Sequence, residues 1–195
     1  MDKTLKYYDE NTEIFVAGTQ KVNFAKTQDF FLSKLPTGGS ILDFGCGAGR
    51  DTKYFLEKGY HVEATDGCEK LCEIASEYTG IAVKRMLFQE LDALERYDGI
   101  WACSSILHLP KEELMAVMWR MHRALKKGGY IYTSFKYGLF EGYRNDRYFT
   151  DFTEETFKGF ILEMDGLAIE ECWTSSDVRP GRSEEKWLNI ILRKN

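Results

Sequence analysis

One decapeptide organises the chain, and it reads Ile41-Leu42-Asp43-Phe44-Gly45-Cys46-Gly47-Ala48-Gly49-Arg50. Branched apolar residues run into an acid, three glycines then alternate with small residues, and a helix-competent segment begins at Arg50. Glycine at every second position removes Cβ atoms where the backbone must turn sharply or let a ligand approach closely. The unpaired N–H groups of the following helix can receive a polar or anionic part of a ligand. The pattern predicts a strand, a tight turn and a helix, which either bind a ligand or only connect two elements.

The composition is typical of one globular domain. Of the 195 residues, 44% are hydrophobic and 29% are charged, so the chain is long enough for one buried core and short for two. The formal net charge of −5 argues against a nucleic-acid partner, because affinity for phosphate backbones comes from clustered Lys and Arg. No apolar run approaches membrane-spanning length, and residues 1–10 have no apolar signal-peptide core. We therefore expect a cytoplasmic protein without a membrane partner.

The cysteines predict neither a disulfide framework nor a metal site. Their number, five, is odd and their spacing is irregular, which suits a reducing compartment. Cys68 and Cys72 are one helical turn apart, but no second Cys/His pair lies at a matching spacing, and the three histidines are scattered. We expect no metal cofactor.

Strands and helices alternate through the middle of the chain. Apolar patterning and Gly/Pro breaks predict strands at 40–44, 61–65, 81–86, 97–103 and 130–135, separated by helices at 50–58, 68–78 and 111–125. This alternation implies right-handed crossovers and a mainly parallel sheet that is covered on both faces.

The two ends of the chain differ from this middle. Aromatic residues in the first forty positions recur at spacings that suit amphipathic helices. Residues 138–152 are polar, aromatic and loop-like, and a helix is predicted at 154–163. Strands at 167–174 and 187–192 have no helix between them, which predicts an antiparallel hairpin at the sheet edge.

Asp66 is the first candidate ligand-binding residue outside the decapeptide. In an open parallel sheet, ligands bind outside the carboxyl ends of the strands. The glycine loop lies there, and Asp66 ends the second predicted strand beside it. A carboxylate in this place can accept hydrogen bonds from both hydroxyls of a ribose, each with a stabilisation of about 1.5–3 kcal/mol. Asp-Gly also favours turns, so a turn or helix-capping role is the alternative.

The spacing inside the loop separates two nucleotide cofactors. Dinucleotide loops use Gly-x-Gly-x-x-Gly, whereas Gly45, Gly47 and Gly49 are each two positions apart and Asp43 lies on the strand before them. An acid beside the loop is poorly suited to a pyrophosphate and well suited to a ligand that carries an ammonium and a sulfonium. The pattern favours S-adenosylmethionine over a nicotinamide dinucleotide.

Four segments in this order and spacing resemble the class I S-adenosylmethionine-dependent methyltransferases. They are the first motif at 41–49, the acidic segment Val62-Glu63-Ala64-Thr65-Asp66, the fourth-strand motif Tyr97-Asp98-Gly99-Ile100-Trp101, and the approach to the fifth strand at 125–131. Within the family, the chain looks most like the small UbiE/TehB-type methyltransferase-domain proteins, for which small-molecule or oxyanion substrates are common.

The resemblance implies a fold and a domain layout. The implied fold is α/β, a Rossmann-like three-layer sandwich with a seven-stranded, mainly parallel sheet whose last strand is antiparallel. One methyltransferase domain would span 1–195. It would comprise an N-terminal helical cap segment at 1–38, a cofactor-binding core at 39–136, and substrate-side loops with a terminal hairpin at 137–195.

The resemblance also implies where the cofactor lies. The three glycines would approach its methionine part, Asp66 would hold the ribose, and Gly67 and Cys68 would border the adenine. The sequence Phe88-Gln89-Glu90 leaves open which residue meets the adenine amino group. The candidate cofactor-binding residues are Asp43, Gly45, Cys46, Gly47, Gly49, Arg50, Asp51, Asp66, Gly67, Cys68, Phe88, Gln89, Ala102, Cys103 and Ser104.

His108 is the candidate catalytic residue. Methyl transfer from a sulfonium mainly requires alignment of the nucleophile and exclusion of water, so a dedicated base is optional. His108 follows the fourth strand, and an imidazole exchanges protons near neutral pH. The alternative is a histidine that only forms hydrogen bonds near the next helix.

Arginines and aromatic residues in the late loops would suit an anionic or planar small substrate, although a solvated surface is the alternative. Tyr8 would close over the site from the N-terminal segment. The candidate acceptor-binding residues are Tyr8, Lys136, Tyr143, Arg144, Arg147, Arg179, Arg182 and Trp187. The loop Cys103-Ser104-Ser105-Ile106 lacks the Asn/Asp-Pro-Pro-Tyr motif of amino-methylating DNA enzymes, and no proline precedes a cysteine, which again argues against nucleic acid.

The sequence therefore predicts an enzyme that transfers a methyl group from S-adenosylmethionine to a small acceptor by in-line displacement, leaving S-adenosylhomocysteine. One alternative is a catalytically silent cofactor-binding or interaction module. A weaker alternative is a nicotinamide-dependent oxidoreductase. The acceptor atom and the oligomeric state are not predicted.

Overall fold

The elements follow the predicted alternation closely. The computed structural model describes residues 3–195. Its strands are β1 Ser40–Phe44, β2 His61–Asp66, β3 Lys84–Arg85, β4 Tyr97–Ala102, β5 Leu125–Lys136, β6 Glu141–Arg144, β7 Arg147–Thr150, β8 Leu167–Ser176 and β9 Lys186–Lys194. Its helices are α1 Lys3–Glu10, α2 Thr12–Thr19, α3 Ala25–Leu32, α4 Arg50–Glu57, α5 Glu69–Thr79, α6 Lys111–Ala124 and α7 Glu154–Ile161.

Seven strands form one sheet in the order β3-β2-β1-β4-β5-β9-β8. The first five run parallel, while β9 runs antiparallel to both β5 and β8. The predicted sheet, with its antiparallel last strand, is confirmed. Because β1 pairs with β2 on one side and β4 on the other, strand order reverses at β1, and the loops after these strands open a crevice there.

Alternation along β1 fills the core on both faces of the sheet. Ile41 lies on one face with Phe31 of α3 and Trp101 of β4, whereas Leu42 lies on the other face with α6. Trp101 stacks on Tyr132 of β5 with a ring-centroid distance of 4.0 Å. Successive side chains of a strand point to opposite faces, so a parallel strand that is covered on both sides is mostly apolar; in β1 the buried Asp43 is an exception.

Residues 138–152, which were expected to be loop-like, instead form a hairpin of β6 and β7. The turn residues Asn145 and Asp146 have φ values of +46° and +63°, which is the left-handed conformation that two-residue hairpin turns need. Asn and Asp adopt it more readily than most residues. The predicted strand at 81–86 was too long, since only Lys84–Arg85 pairs at the sheet edge.

The N-terminal helices close over the carboxyl edge of the sheet. Thr4 of α1 accepts a hydrogen bond from the Tyr148 N–H of the hairpin at 3.0 Å, and Lys70 of α5 donates to the Asp9 carbonyl at 2.9 Å. The segment is therefore attached on two sides of the crevice. Among residues 3–195, no helix is long and apolar enough to span a membrane.

Candidate functional site

A cavity of about 680 Å³ opens at the carboxyl edge of the sheet. Its walls come from the loops after β1, β2 and β4, from α1 and α2, from the β6–β7 hairpin, and from the loop between β8 and β9. Ligand pockets commonly measure about 300–1,000 Å³, so the cavity can hold a nucleoside and a small second molecule. One end is built by the glycine loop. The other end is built by the β6–β7 hairpin and by the loop between β8 and β9, residues 177–185, which we call the late loop.

The glycine loop is fixed to the second strand. The N–H groups of Gly45 and Cys46 both donate to the Thr65 carbonyl at 2.9 Å. Gly45 has a φ of +83°, and a Cβ added there would lie 2.5 Å from the Ser105 Cβ. The turn therefore requires glycine at this position, both for its backbone conformation and for close packing against the loop after β4.

Asp66 connects this loop to the start of α5. Its Oδ2 accepts a hydrogen bond from the Gly47 N–H, and its Oδ1 accepts one from the Cys68 N–H, both at 2.9 Å. Burial raises the pKa of Asp66, whereas these backbone bonds lower it. A carboxylate offers about four lone-pair sites, so Asp66, which lines the cavity, retains acceptor capacity for two further donors.

Asp43 lies beneath the loop. Its carboxylate accepts a hydrogen bond from the Thr52 hydroxyl at 2.5 Å, and its side chain is almost fully buried. Burial raises the pKa of Asp43 to about 8, and the charge of Asp51 adds to this increase. Asp43 therefore supports the junction of β1 and α4 from behind.

Arg50 and Asp51, at the start of α4, bond mainly to protein groups. Arg50 donates from Nε and from one terminal nitrogen to the two carboxylate oxygens of Asp51, at 2.8 and 2.9 Å. Asp51 also accepts from Gln28 at 2.7 Å and from Trp101 at 2.8 Å. The carboxylate is thus saturated, whereas Arg50 keeps a third nitrogen for a ligand carboxylate.

The loops after β3 and β4 complete this end of the cavity. The ring of Phe88 packs edge-on against Phe44 with 4.9 Å between centroids, while Gln89 donates to Glu113 at 2.8 Å. Ser104 has a φ of +51° and is held by the Ser134 hydroxyl, which accepts from the Ser104 N–H at 2.9 Å. Burial raises the pKa of the Cys103 thiol to about 12, so this thiol stays protonated at neutral pH.

His108 and Tyr8 form a hydrogen-bonded pair at the other end of the cavity. His108 Nδ1 lies 2.6 Å from the Tyr148 carbonyl, and His108 Nε2 lies 2.9 Å from the Tyr8 hydroxyl. A carbonyl can only accept, so Nδ1 carries the proton and Nε2 accepts the hydrogen bond from Tyr8. Burial raises the pKa of Tyr8 more than the nearby Arg147 lowers it.

Comparison with known proteins agrees with this geometry. Residues 41–129 match the model of a family described as a methyltransferase domain. Residues 41–129 therefore carry a methyltransferase domain. No curated protein matches the sequence.

Solved methyltransferases share the fold of this domain. The 1,6-didemethyltoxoflavin-N1-methyltransferase of Burkholderia thailandensis, solved with 1,6-didemethyltoxoflavin and S-adenosylhomocysteine, is 21% identical; the match covers 98% of this chain and 85% of that chain with a TM-score of 0.79. The magnesium protoporphyrin IX methyltransferase of Synechocystis, solved with S-adenosylmethionine, is 17% identical, with coverages of 100% and 98% and a TM-score of 0.74. A methyltransferase of Methanosarcina mazei is 16% identical, with coverages of 85% and 96% and a TM-score of 0.74.

Most of the predicted site residues meet at this cavity. At the glycine-loop end, the cavity is lined by Gly45, Cys46, Gly47, Arg50, Asp51, Asp66, Gly67, Phe88, Gln89, Cys103 and Ser104. At the hairpin end, it is lined by Tyr8, His108, Lys136, Arg144, Arg147, Arg179, Arg182 and Trp187.

Five predicted site residues do not line the cavity. Asp43 lies beneath the loop, Ala102 is fully buried in the sheet core, and Cys68 is buried at the start of α5. Gly49 faces α5, since a Cβ added to it would lie 2.8 Å from Thr79. Tyr143 is 54% exposed. Adjacent positions in a strand or turn point in different directions, and sequence proximity to the loop does not resolve this difference.

The structure adds lining residues that the sequence reasoning missed. Leu5, Phe15, Thr19 and Phe24 reach the cavity from the N-terminal helices. Their aromatic and apolar pattern was visible, but which helix face meets the crevice depends on packing against the hairpin. Asp177 and Glu185 also line the cavity, and their ion pairs with Lys136 join segments that are distant in sequence.

The chemistry of the cavity fits S-adenosylmethionine. Asp66 provides a half-buried acceptor for ribose hydroxyls, Met86, Leu87 and Phe88 provide apolar surface for a base, and the glycine loop permits close approach of backbone to ligand. Among residues 3–195, no cluster of three or more His, Cys, Asp or Glu side chains could hold a metal ion.

Replacement of Asp66 should weaken cofactor binding selectively. We expect Asp66→Ala to lower the affinity for S-adenosylhomocysteine by about tenfold or more, because two hydrogen bonds to a charged acceptor are lost. Calorimetry measures this affinity. Asp165→Ala, at an exposed site outside the cavity, is the matched control, and equal affinity of the two variants would contradict the ribose-binding role.

Replacement of Asp43 should change how stability depends on pH. Between about pH 4 and the folded-state value of about 8, the unfolded chain has lost this proton while the folded chain retains it, so the free energy of unfolding falls as pH rises. Asn does not titrate and can still accept from Thr52. We therefore expect Asp43→Asn to gain stability relative to the wild type as pH rises through this window.

Urea unfolding of both proteins at about pH 5 and about pH 8.5 measures this difference. Asp165→Asn, at an exposed site, controls for the loss of a surface charge. The same stability difference between Asp43→Asn and the wild type at both pH values would show that Asp43 is ionised in the folded protein.

Proposed function

We propose that this methyltransferase acts in the cytoplasm on a small acceptor whose nucleophilic atom lies beside Tyr8 and His108. One observation carries this proposal: the Tyr8–His108 hydrogen bond of 2.9 Å lies in the wall of the same cavity as the glycine loop. The chain thereby offers a proton-accepting pair next to a cofactor-sized space. We assign the chain to the small UbiE/TehB-type proteins on this basis and on the four sequence motifs.

The cofactor half of the cavity is proposed to act through binding and orientation. When bound, S-adenosylmethionine supplies a methyl group already activated by its sulfonium. Asp66 would accept from the ribose hydroxyls, Phe88 would cover the adenine, and Arg50 would donate to the amino-acid carboxylate. These contacts would hold the cofactor in one orientation. Positioning of both reactants can lower the free-energy barrier of a bimolecular reaction by roughly 7–11 kcal/mol.

The Tyr8–His108 pair would remove a proton from the acceptor. The Tyr148 carbonyl holds the Nδ1 proton of His108, which leaves the Nε2 lone pair directed at the Tyr8 hydroxyl. When the acceptor takes the methyl group that the cofactor would supply, the acceptor's proton would move to the Tyr8 oxygen and the Tyr8 proton would move to Nε2. An acceptor that is already an anion would need no such proton transfer.

The N-terminal helices would exclude water from this reaction. Tyr8 of α1 and Phe15 of α2 pack edge-on at 5.1 Å, and a Cβ at Gly47 would lie 3.0 Å from the Phe15 ring. The helices thus contact the glycine loop itself. Closure of this kind strengthens the electrostatic interactions inside a site and prevents side reactions with water. The Burkholderia relative was solved with 1,6-didemethyltoxoflavin bound, which supports a small-molecule acceptor.

Loss of the tyrosine hydroxyl should lower turnover without lowering cofactor affinity. We expect Tyr8→Phe and His108→Ala to reduce kcat by about 10²-fold or more on an acceptor with a titrating N–H or O–H group, since proton transfer typically contributes about 10²–10⁴-fold. Formation of S-adenosylhomocysteine across an acceptor panel measures the rate, and calorimetry with S-adenosylhomocysteine measures the affinity.

Tyr60→Phe is the matched control, because Tyr60 precedes β2 at the opposite edge of the sheet and donates only to the Leu32 carbonyl. If kcat is unchanged in both Tyr8→Phe and His108→Ala, the pair does not accept the proton and has only a structural role. A parallel loss of cofactor affinity would instead place Tyr8 at the cofactor.

A further inference from the structure

Among residues 3–195, five cations line the hairpin end of the cavity, and four of them form ion pairs with three carboxylates. Lys136 pairs with Asp177 and Glu185, Arg179 with Asp177, Arg182 with Glu185, and Arg144 with Asp151. An ion-paired cation has its charge and its hydrogen-bonding geometry already committed. Lys136, Arg179 and Arg182 therefore hold the late loop, and Arg144 holds the hairpin.

Arg147 is the fifth cation, and its environment differs. Among residues 3–195, no carboxylate lies within 4.0 Å of its guanidinium. Aromatic rings hold the group instead: its guanidinium carbon lies 4.4 Å from the centroid of Tyr7, 5.3 Å from that of Phe149, and 5.9 Å from that of Tyr8. Its Nε is shielded from solvent and has no hydrogen-bond partner. Aromatic rings orient a guanidinium without satisfying its N–H donors.

Arg147 is next to the proposed proton-accepting pair. The imidazole of His108 lies 4.8 Å from the Phe149 ring and 5.6 Å from the Tyr8 ring, centroid to centroid. The guanidinium and the imidazole thus pack on the same two rings. An anionic group bound to Arg147 would place the rest of its molecule against Tyr8 and His108, and the rings of Phe149 and Tyr8 favour a flat molecule there.

We propose, on the basis of the function above, that Arg147 binds the negative group of the methyl acceptor and that the acceptor is a small planar molecule with one carboxylate-like anion. Arg147 is the cation of this set without a carboxylate partner in the described part of the chain, so it can pair with one anionic group of a ligand. A planar guanidinium with free N–H groups binds a carboxylate better than a point cation does, because it can donate two parallel hydrogen bonds.

The carboxylate of the cofactor is the rival ligand for Arg147. Arg50, at the first turn of α4, is the cation on the cofactor side; it lies over the Phe24 ring at 4.9 Å and beside Cys103. Arg147 belongs to β7 and packs under α1. The two arginines therefore lie on different walls of the cavity, one beside the glycine loop and one beside Tyr8.

Matched pairs of probes test this inference on the protein loaded with S-adenosylhomocysteine. Benzoate and naphthoate are compared with their neutral amides, benzamide and naphthamide, by calorimetry. We expect the wild type to prefer the carboxylates by about tenfold or more, which is the effect of a charge-assisted hydrogen bond. Arg147→Met should abolish the preference and Arg147→Lys should retain part of it. Arg193→Met is the matched control and should keep it, because Arg193 also packs on an aromatic ring, that of Tyr130, but lies outside the cavity.

The outcomes separate this inference from the proposed function. If the wild type fails to bind S-adenosylhomocysteine, the proposed function fails. If it binds but no carboxylate is preferred, or if the preference survives in Arg147→Met, only the role of Arg147 is overturned. Methylthioadenosine, which lacks the amino-acid carboxylate, tests whether Arg147 instead binds the cofactor. If Arg147→Met lowers the affinity for S-adenosylhomocysteine but not the affinity for methylthioadenosine, Arg147 binds the cofactor carboxylate and the inference is overturned.

Discussion

The hydrogen bonds of Asp66 to the backbone of Gly47 and Cys68 are the interaction on which the rest of the site depends. They connect three consecutive features: the glycine loop after β1, the end of β2 and the first turn of α5. A carboxylate in this place satisfies orphan N–H groups of a loop and a helix start at once. The same group faces the cavity, so one residue both shapes the loop and offers acceptor oxygens to a ligand.

Sheet topology explains why the two halves of the site meet. Strand order reverses at β1, which opens the crevice for the cofactor. The chain then leaves β5 into the hairpin β6–β7, which carries Arg147 and the Tyr148 carbonyl to the opposite wall. Helix α1 bridges the crevice and brings Tyr8 to His108. Three segments that are distant in sequence thus form one enclosed space, with nucleoside chemistry at one end and cationic, aromatic chemistry at the other.

Local patterning predicted the elements well and the directions of side chains less well. The Gly-x-Gly-x-Gly spacing and Asp66 after β2 identified the loop and the cofactor class, since both depend on backbone geometry that a short sequence encodes. The hairpin at 141–150 was missed because Asn145-Asp146 is a weaker turn signal than Asn-Gly. In the sequence, Arg147 was one arginine among several. In the structure it differs from Arg179 and Arg182, which pair with carboxylates two and three residues away, because it packs on aromatic rings of α1 and β7.

A crystal structure of the protein with S-adenosylhomocysteine tests the central claim most directly. The account predicts the ribose hydroxyls within hydrogen-bond distance of Asp66, the adenine beside Phe88, and the sulfur directed toward the space bounded by Tyr8 and His108. A nucleoside bound with its ribose away from Asp66, or with its sulfur directed away from that space, would contradict the arrangement of cofactor and acceptor derived from these residues.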